Sequence, residues 1–382
     1  MKNTNETSGI FNYDLIVYSP GRINLIGEHI DYNGGNVLPA AIDKKITLKF
    51  KKNTSDKQCL IKSLELDSGF NINLDEIKKS NLTWENYILG VLYEINLLRP
   101  EKVKGFDCEI ESNLPVGSGI SSSAALECGF AKGINQLFDL ELTDLEIITL
   151  ARNAEHNFVG TKCGIMDQFA VVKGKQNHFI HLNCDTLDYE YIKADFEPYT
   201  ILLLNTNISH NLATSEYNKR REECATALQI INKQTENEVS SLTEIQEGFM
   251  LQNKDAFPET IYKRAMYVIQ ENKRVQNTVD AVKKSKNIRE IGDLLYQSHE
   301  GLQHLYEVSC AELDFLVNYS KQFDYILGSR MMGGGFGGCT INIIHKKNVN
   351  EYIEKVSKAY YNEFSIDLTP ILINIGNGVK IG

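Results

Sequence analysis

The sequence predicts an α+β fold. Segments typical of strands and of helices are mixed, without the regular alternation that a doubly wound parallel sheet requires. The second half also differs from the first in having two long, charged segments that are typical of helices. The chain has 382 residues, which suggests two domains at roughly 150 residues each. We therefore expect one domain over residues 1–196 and a second over residues 197–382.

In the first half, strands are predicted where β-branched residues cluster or where apolar and acidic residues alternate, at 16–19, 46–51 and 106–111. A proline and glycines end the third of these, and a helix is predicted at 124–138. Thr143 followed three residues later by Glu146 is typical of a capping box, so a second helix begins there and ends before Gly160.

In the second half, a continuous apolar run at 199–204 predicts a buried strand. The strand-like sequence HFIHLNC precedes it, and the domain boundary is expected between the two, near residues 195–199. The remaining predicted elements are helices at 213–234 and 260–284 and strands at 339–345 and 371–375.

Composition argues against several classes of protein. Acidic residues outnumber basic ones by 50 to 40, for a net charge of −10, so nucleic acid is not an expected partner. No run reaches the ~18 apolar residues of a membrane-spanning helix, and the polar start shows no secretory signal. The eight cysteines are scattered, as is typical of reduced thiols. We expect a cytoplasmic monomer without membrane contacts.

A glycine–serine segment, LPVGSGISSSAALE at residues 114–127, follows the third predicted strand. Gly117 and Gly119 free the backbone before three serines and a helix, so exposed amides and the positive end of the helix dipole can surround a phosphate. This is not a Walker A loop, because no Gly-Lys-Ser/Thr follows. A metal and other residues must then help to balance the phosphate charge. The alternative is a serine-capped helix after a tight turn.

A polar segment, SPGRINLIGEHIDYNGGNVLPAAI at residues 19–42, is dense in hydrogen-bonding side chains. Within eleven residues it contains Arg22, Asn24, Glu28, His29, Asp31 and Tyr32. The isoleucines and leucine between them imply partial burial, which makes unpaired polar groups costly. A polyhydroxyl ligand would pair them, so a sugar-like ligand is indicated. The alternative is a solvated loop.

Two further features extend the candidate site. A glycine-rich segment, RMMGGGFGGCTINI at residues 330–343, has five glycines in six positions, which allows close backbone contact with a ligand or makes a structural turn. Glu155 lies late in the second predicted helix, and Asp167 lies in a glycine-led turn beyond it. Each is a surface charge in the simplest interpretation. Near a phosphate site, one acid could hold magnesium and the other could accept a proton.

Together these segments closely resemble the galactokinase family, in the GHMP superfamily of small-molecule kinases. GRINLIGEHIDYNGG is similar to the galactokinase signature, LPVGSGISSSAALE to the superfamily's phosphate loop, and MMGGGFGGCTI to its third motif. The GEHIDY sequence and NISHNLATSEYNKRR, at residues 207–221, are specific to the galactokinase branch. The motifs occur in the family's order and span most of the chain.

The resemblance implies an ATP-dependent kinase that phosphorylates the anomeric hydroxyl of α-D-galactose, the first committed step of galactose catabolism. It implies a two-domain GHMP kinase fold with the active site in the cleft between the domains. Asp167 would be the catalytic acid/base, with Arg22 beside it stabilising the transferring charge. Galactose would contact Glu28, His29, Ile30, Asp31, Gly164 and Tyr217.

The resemblance also implies the nucleotide and metal contacts. The ATP phosphates would lie against Gly117, Ser118, Gly119, Ile120, Ser121, Ser122 and Ser123, and Mg²⁺ on Ser123 and Glu155. Trp84 matches a tryptophan near adenine, with burial in the core as its alternative, and Ser63 is a further nucleotide contact. One departure is Met332, where the family commonly has threonine, so a hydroxyl group is lost. The glycines around it are intact.

Two kinds of alternative are open at this point. A catalytically silent sugar sensor could have the same fold, but the complete phosphate loop together with Asp167 and Arg22 favours an enzyme. A kinase for N-acetylgalactosamine or L-arabinose would share every phosphate-handling residue. Mevalonate and homoserine kinases are disfavoured, because their substrates do not require the GEHIDY cluster.

Overall fold

The computed structural model describes residues 13–115, 117–209, 213–235, 238–284 and 288–382. Val116 of the glycine–serine segment and residues 210–212 of NISHNLATSEYNKRR lie outside the described residues. So do residues 1–12, on which the expectation of no secretory signal rests. Within the described ranges, no helix is both long and apolar enough to cross a membrane.

The described residues form a mixture of strands and helices, as expected for the α+β class. The strands are β1 (Leu15–Asn24), β2 (Asn36–Val37), β3 (Pro39–Lys52), β4 (Gln58–Ser63), β5 (Ser68–Asn73), β6 (Phe106–Ser112), β7 (His178–Asn183), β8 (Tyr189–Lys193), β9 (Tyr199–Ser209), β10 (Ile326–Met332), β11 (Gly337–His345), β12 (Thr369–Leu372) and β13 (Lys380–Ile381). The helices are α1 (Thr83–Leu98), α2 (Ser122–Leu137), α3 (Asp144–Ala154), α4 (Met166–Lys173), α5 (Ala213–Asn232), α6 (Glu247–Gln252), α7 (Glu259–Lys284), α8 (Ile288–Gly301), α9 (Ala311–Ser320) and α10 (Val349–Phe364). π-helical turns follow α3 and α8, at Glu155–Val159 and Leu302–Tyr306.

A six-stranded sheet dominates the first half, with the order β13-β1-β3-β6-β4-β5. Its strands pair antiparallel, apart from β4 and β6, which are parallel. α2 packs so closely on β1 and β3 that two of its glycines leave no room for a side chain. A Cβ on Gly129 would lie 2.5 Å from Ser19, and one on Gly133 would lie 2.2 Å from the Phe50 ring. This close packing holds the glycine–serine segment, which leads into α2, beside β1, which carries Arg22.

A four-stranded antiparallel sheet lies in the second half, with the order β10-β11-β9-β12. β10 and β11 form a hairpin whose last pair is Met332 with Cys339, so the glycine-rich segment makes the connection. α8 packs closely on β10, since a Cβ on Gly292 would lie 2.0 Å from the carbonyl oxygen of Leu327. The hairpin end reaches the first half, because a Cβ on Gly119 would lie 3.1 Å from the carbonyl oxygen of Met332.

The two halves meet at a small sheet and at the end of the chain. β2, β7 and β8 form this sheet, and α7 packs on β2 and β8. The predicted boundary between residues 196 and 197 falls in the connection from β8 to β9. β13 then returns to pair with β1, with Ile381 opposite Val17. The division at this position stays a prediction, because the last residues join the first sheet.

Most of the predicted elements are confirmed, with shifts at their ends. The capping box of Thr143 and Glu146 is present, and α3 continues through its π-helical turn to Gly160, where φ is 94°. The strand predicted at 371–375 is displaced, because β12 pairs with β9 over Thr369–Leu372. The sequence analysis did not predict several elements, among them α1, α4, α6, α10, β2, β4, β5 and β10. All eight cysteines are free thiols.

Candidate functional site

A cavity of about 680 Å³ lies where the polar, glycine–serine and glycine-rich segments meet. Most of the predicted site residues share its wall, although they are as much as 195 positions apart in the chain, from Arg22 to Tyr217. The predicted site residues that line it are Arg22, Glu28, His29, Asp31, Ser63, Trp84, Gly117, Gly119, Ser121, Ser122, Ser123, Glu155, Gly164, Asp167 and Tyr217. The fold thus brings together residues of the polar segment, the glycine–serine segment and separate positions between residues 63 and 217.

Arg22 and Asp167 form a two-point ion pair in the cavity wall. Arg22 Nε donates to Asp167 Oδ1 at 2.6 Å, and Nη2 donates to Oδ2 at 2.7 Å. The remaining nitrogen, Nη1, donates to the carbonyl oxygen of Gly119 at 2.6 Å. Burial on its own would lower the pKa of Arg22, but the charges of Asp167 and Glu28 raise it. The pair therefore fixes the orientation of a carboxylate and keeps a cation beside it.

The glycine–serine segment contacts this ion pair through Ser121. The Ser121 hydroxyl donates to Asp167 Oδ2, and Ser121 has a left-handed φ of 57° just before α2. Gly117 and Gly119 are also left-handed, with φ of 71° and 72°. A turn of this kind at the start of a helix presents backbone amides and the positive end of the helix dipole to an anion. The segment is therefore suited to hold phosphate beside Asp167.

Glu155 and Ser123 lie together on the same wall. Glu155 is the first residue of the π-helical turn after α3, is 7% exposed and interacts with the Ser123 hydroxyl. Burial raises the pKa of Glu155 to about 7, opposed by the Ser123 hydrogen bond and reinforced by the charge of Asp167. Among the described residues, no cluster of three or more histidine, cysteine, aspartate or glutamate side chains could hold a metal ion. A metal here would need ligands from a bound molecule.

Asp31 is packed tightly against Gly164. A Cβ on Gly164 would lie only 2.0 Å from Asp31 Oδ2, so any side chain at residue 164 would displace the carboxyl group. Asp31 is 8% exposed, and burial followed by the charges of Asp167 and Glu28 raises its pKa to about 7. A buried carboxyl group in a cavity wall can pair with the hydroxyl groups of a ligand.

A buried ion pair joins the polar segment to the glycine-rich segment. Arg330 is completely buried, and two of its nitrogens donate to Glu28 Oε1 at 3.2 Å. The same oxygen accepts a hydrogen bond from the Gly333 amide at 2.8 Å, while Oε2 accepts one from Asn24 at 3.1 Å. Another Arg330 nitrogen donates to the Leu25 carbonyl oxygen at 2.9 Å. Glu28 thus holds two segments of the cavity wall together through protein contacts alone.

His29 is enclosed by tyrosine rings and hydrogen-bonded at both nitrogens. Its ring centroid lies 5.0 Å from those of Tyr217 and Tyr306. Nδ1 lies 2.9 Å from the Tyr32 hydroxyl, and Nε2 lies 3.1 Å from the carbonyl oxygen of Gly334. Burial lowers the pKa of His29 to about 3, so the ring is neutral at physiological pH.

Another part of the cavity wall is mainly apolar. Trp84 lies on this wall and packs edge to face on Phe70, with ring centroids 5.1 Å apart. Ser63, 7% exposed at the end of β4, adds a polar group. The apolar residues of this wall are Ile46, Leu66, Trp84, Ile110, Leu114 and Leu126. An apolar surface with few polar groups suits a planar aromatic ring. Trp84 contacts both the core and the cavity.

Three residues of the predicted site do not line the cavity with their side chains. Ile30 and Ile120 are buried in the hydrophobic core, where their apolar side chains are stabilised. The Ser118 hydroxyl donates to the Pro115 carbonyl oxygen at 2.7 Å and is not part of the wall. Any ligand contact from these residues would have to come from the backbone. Met332 is also buried, at 1% exposure, so the position where the family commonly has a threonine hydroxyl lies in the core.

The sequence analysis missed Arg330, Tyr306 and Glu127. Arg330 is the only charge in the buried strand ILGSRMM, a signal that could have indicated an internal ion pair. Glu127 lies one helical turn after Ser123, which could have placed it near the same wall. It is completely buried, and burial followed by the charge of Glu155 raises its pKa well above the usual range. Tyr306 had no local motif to indicate it.

Three family profiles match the chain. Residues 8–52 match the galactokinase galactose-binding signature, residues 86–175 match the N-terminal domain of GHMP kinases, and residues 278–362 match their C-terminal region. The first range contains the polar segment, the second contains the glycine–serine segment and Asp167, and the third contains the glycine-rich segment. All three segments of the cavity wall therefore lie wholly within matched ranges.

Whole-chain relatives agree with these matches. The galactokinase of Thermosipho africanus is 43% identical over 364 residues, which cover 95% of this chain and 98% of that protein. The galactokinase of Clostridium tetani is 42% identical over 349 residues, covering 90% and 87%. The crystal structure of Lactococcus lactis galactokinase complexed with galactose is 34% identical with a TM-score of 0.91, covering 96% and 94%. Methanococcus jannaschii mevalonate kinase, at 22% identity and a TM-score of 0.66, shares the fold.

Proposed function

The chain belongs to the galactokinase family of the GHMP kinases, and from this premise we propose that it transfers the γ-phosphoryl group of ATP to the anomeric hydroxyl of α-D-galactose. The products are α-D-galactose 1-phosphate and ADP. The observation that carries the proposal is the Arg22–Asp167 pair, which lies between the polar segment and the glycine–serine segment. A sugar hydroxyl and a phosphoryl group can both reach this carboxylate and this cation.

The proposed chemistry depends on positioning and charge. Phosphoryl transfer needs an aligned nucleophile and neutralisation of charge, with little covalent chemistry from the protein. Asp167 accepts the proton of the anomeric hydroxyl, and Arg22 and Ser121 hold its carboxylate in place. The Arg22 cation also balances the negative charge that develops on the transferred group. The backbone amides from Gly117 to Ser123 hold the phosphates at the start of α2.

The proposed galactose contacts come from the polar segment and from α5. Glu28, His29 and Asp31 line the cavity near Asp167, and Tyr217 and Gly164 complete this part of the wall. The carboxyl group of Asp31 is buried, so a sugar that pairs with it is favoured over one that cannot. The apolar wall around Trp84 would hold the adenine ring, with Ser63 beside it.

We also propose that Mg²⁺ binds to Ser123 and Glu155. Magnesium is usually bound by one or two carboxylates together with substrate phosphates and water, which fits a site that has one acid and one hydroxyl. Glu155 is buried with a raised pKa of about 7, so a cation would favour its ionised form. When bound, the ion supplies positive charge to the phosphates.

The test is ADP release by the purified protein with magnesium-ATP. Galactose, N-acetylgalactosamine, L-arabinose, glucose and no sugar are compared under the same conditions. We expect turnover to be fastest with galactose, since a difference of one substituent can change the preference by ~1–3 kcal/mol. Faster turnover on another sugar would overturn the substrate but keep the kinase chemistry. Galactose binding without turnover on any sugar would overturn the proposed enzymatic activity and indicate a sugar sensor.

A further inference from the structure

A chain of hydrogen bonds runs from α5 to the cavity wall. Cys224 Sγ lies 3.2 Å from the Tyr306 hydroxyl, which lies 2.7 Å from the Tyr32 hydroxyl. The Tyr32 hydroxyl lies 2.9 Å from His29 Nδ1, and His29 Nε2 lies 3.1 Å from the carbonyl oxygen of Gly334. His29 and Gly334 line the cavity, whereas the other three residues lie behind its wall.

Hydrogen-bond chemistry fixes the direction of this chain. The Gly334 carbonyl oxygen can only accept, so His29 Nε2 carries a proton. Burial lowers the pKa of His29 to about 3, so the ring is neutral and Nδ1 has a free lone pair. Tyr32 therefore donates to Nδ1, and its oxygen accepts the proton of Tyr306. The Tyr306 oxygen is then the acceptor for the Cys224 thiol.

This direction determines what His29 presents to a ligand. A neutral ring with its proton on Nε2, donated to the Gly334 carbonyl oxygen, presents no free acceptor nitrogen to a ligand in the cavity. The ring cannot easily turn over, because Tyr217 and Tyr306 each lie 5.0 Å from it between centroids. Exchange of the two nitrogens would also place a bare nitrogen against the Gly334 carbonyl oxygen. The chain thus fixes both the proton position and the orientation of the ring.

Tyr306 is itself held firmly in place. It ends the π-helical turn after α8, and Glu307 follows with a left-handed φ of 56°. Arg220 Nε donates to the Tyr306 carbonyl oxygen at 2.7 Å, and its Nη2 donates to that of Glu307 at 2.8 Å. Arg264 donates to the carbonyl oxygen of Leu305 at 2.6 Å. These two arginines pair carbonyl groups that a helix end leaves without partners. π-helical turns occur frequently at functional sites.

We propose that Tyr306 is a positioning residue for the sugar, which sets the orientation and tautomer of His29 through the Tyr32 hydroxyl. It does not line the cavity, and its hydroxyl acts only through these neighbours. The inference rests on the proposed function, because it names a residue that supports the galactose end of the same site. It also gives a physical link between α5, the turn after α8 and the glycine-rich segment.

The test is the Tyr306→Phe variant, which removes the hydroxyl and keeps the ring. Without the Tyr306 proton, the Tyr32 hydroxyl is held less firmly, and its hydrogen bond to His29 weakens. We expect the KM for galactose to rise about fivefold, as the loss of one hydrogen bond predicts, while kcat and the KM for ATP stay within about twofold. Steady-state kinetics with each substrate varied measures the three values.

The matched control is Tyr296→Phe. Tyr296 lies on α8, before the same π-helical turn, and its hydroxyl bonds to Ser320 at 2.9 Å, away from the cavity. It loses the same atom, so a general loss of stability would affect both variants. A rise in the KM for galactose confined to Tyr306→Phe supports the inference. An unchanged KM in Tyr306→Phe, or an equal rise in Tyr296→Phe, overturns it. Wild-type protein that phosphorylates no sugar would overturn the proposed function instead.

A second measurement determines the tautomer in the wild-type protein and needs no substitution of Tyr306. Nitrogen NMR of the wild-type protein, with the His29 signals assigned by their loss in a His29→Asn variant, identifies the protonated ring nitrogen. We expect the proton on Nε2 and a neutral ring across the range from about pH 6 to pH 8, because burial lowers the pKa of His29 to about 3. A proton on Nδ1, or a charged ring in that range, would overturn the inference.

Discussion

The proposed sugar end of the cavity, at Glu28, His29 and Asp31, and the proposed nucleotide end, at Leu66, Trp84 and Gly117, are built in different ways. At the sugar end, Glu28, His29 and Asp31 are 2%, 3% and 8% exposed, and each is held by neighbouring protein groups. At the nucleotide end, Leu66 is 49% exposed, and a Cβ on Gly117 would meet no atom within 4 Å. The polar side chains of the sugar end are buried and paired within the protein, whereas the nucleotide end has an exposed leucine and an open glycine turn beside a buried apolar wall.

This difference predicts which substitutions lower the stability of the protein and which affect only ligand binding. Polar groups that are buried and paired within the protein are expensive to disturb, because a lost partner leaves a charge or a donor without water. Substitutions in open backbone turns or at exposed apolar side chains usually change the free energy of unfolding little. Changes at the sugar end should therefore lower both stability and sugar affinity, and changes at the nucleotide end should mainly affect ATP.

Replacing Arg330 should have the greatest effect on stability. Arg330→Met leaves Glu28 completely buried without its cation, which we expect to lower the free energy of unfolding by about 3–5 kcal/mol. Chemical denaturation of the two proteins measures the difference. The control is Lys132→Met, on the helix that follows the glycine–serine segment. Its pair with Asp144 at 3.0 Å is partly exposed and should contribute less than about 1 kcal/mol. Equal losses in both variants would contradict the greater cost of breaking the buried pair at the sugar end.

Substitution of Gly164 should affect galactose and leave ATP unaffected. The methyl group of Gly164→Ala would lie 2.0 Å from Asp31 Oδ2, so the carboxyl group must move. Overpacking of this kind costs about 1–3 kcal/mol, and we expect the KM for galactose to rise about 10- to 100-fold. Gly248→Ala is the control, since its Cβ would meet no atom within 4 Å. A similar rise in the KM for ATP would show that the two ends are not independent.

Two glycines at the nucleotide end allow a finer comparison. Gly117 and Gly119 have nearly the same left-handed φ, of 71° and 72°, so alanine should strain the backbone by about 1–2 kcal/mol at either position. Only at Gly119 would the new Cβ also contact another segment, at 3.1 Å from the Met332 carbonyl oxygen. We expect Gly119→Ala to raise the KM for ATP several-fold more than Gly117→Ala. Kinetics with ATP varied would contradict this interpretation if the order were reversed.

The pH dependence of stability should show the burial of Asp31. Its pKa in the folded protein is raised to about 7 from 3.8, so the folded state keeps a proton that the unfolded chain loses. The contribution of Asp31 to stability is therefore greatest at low pH and declines as the pH rises from about 4 to about 7. Chemical denaturation at about pH 5 and pH 8 should show that the wild type loses more stability than Asp31→Asn. Parallel changes in the two proteins would show that Asp31 is not the group that titrates.

Local features of the fold could be predicted from the sequence, and its long-range pairs could not. The capping box at Thr143 and the alternating strand β6 depend on neighbouring residues, so their patterns indicated them directly. β10 was missed because all of its residues are buried, so it has no alternation. A continuous buried run does not distinguish a strand from other core segments.

The candidate site shows the same limit. Asp167, Arg22 and the glycine–serine segment belong to motifs, and the structure brings them together at hydrogen-bonding distance. Arg330 pairs with Glu28, 302 positions away, and Tyr306 pairs with Tyr32, 274 positions away. No local sequence pattern encodes pairs at such separations. Ile30 was included for its place in the motif, although apolar burial gives it a position in the core.

The most direct measurement compares binding and turnover in Asp167→Asn. The substitution keeps the size of the side chain and removes the proton acceptor, while the sugar and nucleotide ends keep their contacts. We expect calorimetry to detect binding of galactose and of magnesium-ATP, and kcat for galactose phosphorylation to fall by at least about 10³-fold. Near-normal turnover in this variant would contradict the assignment of Asp167 as the base, and with it the proposed mechanism.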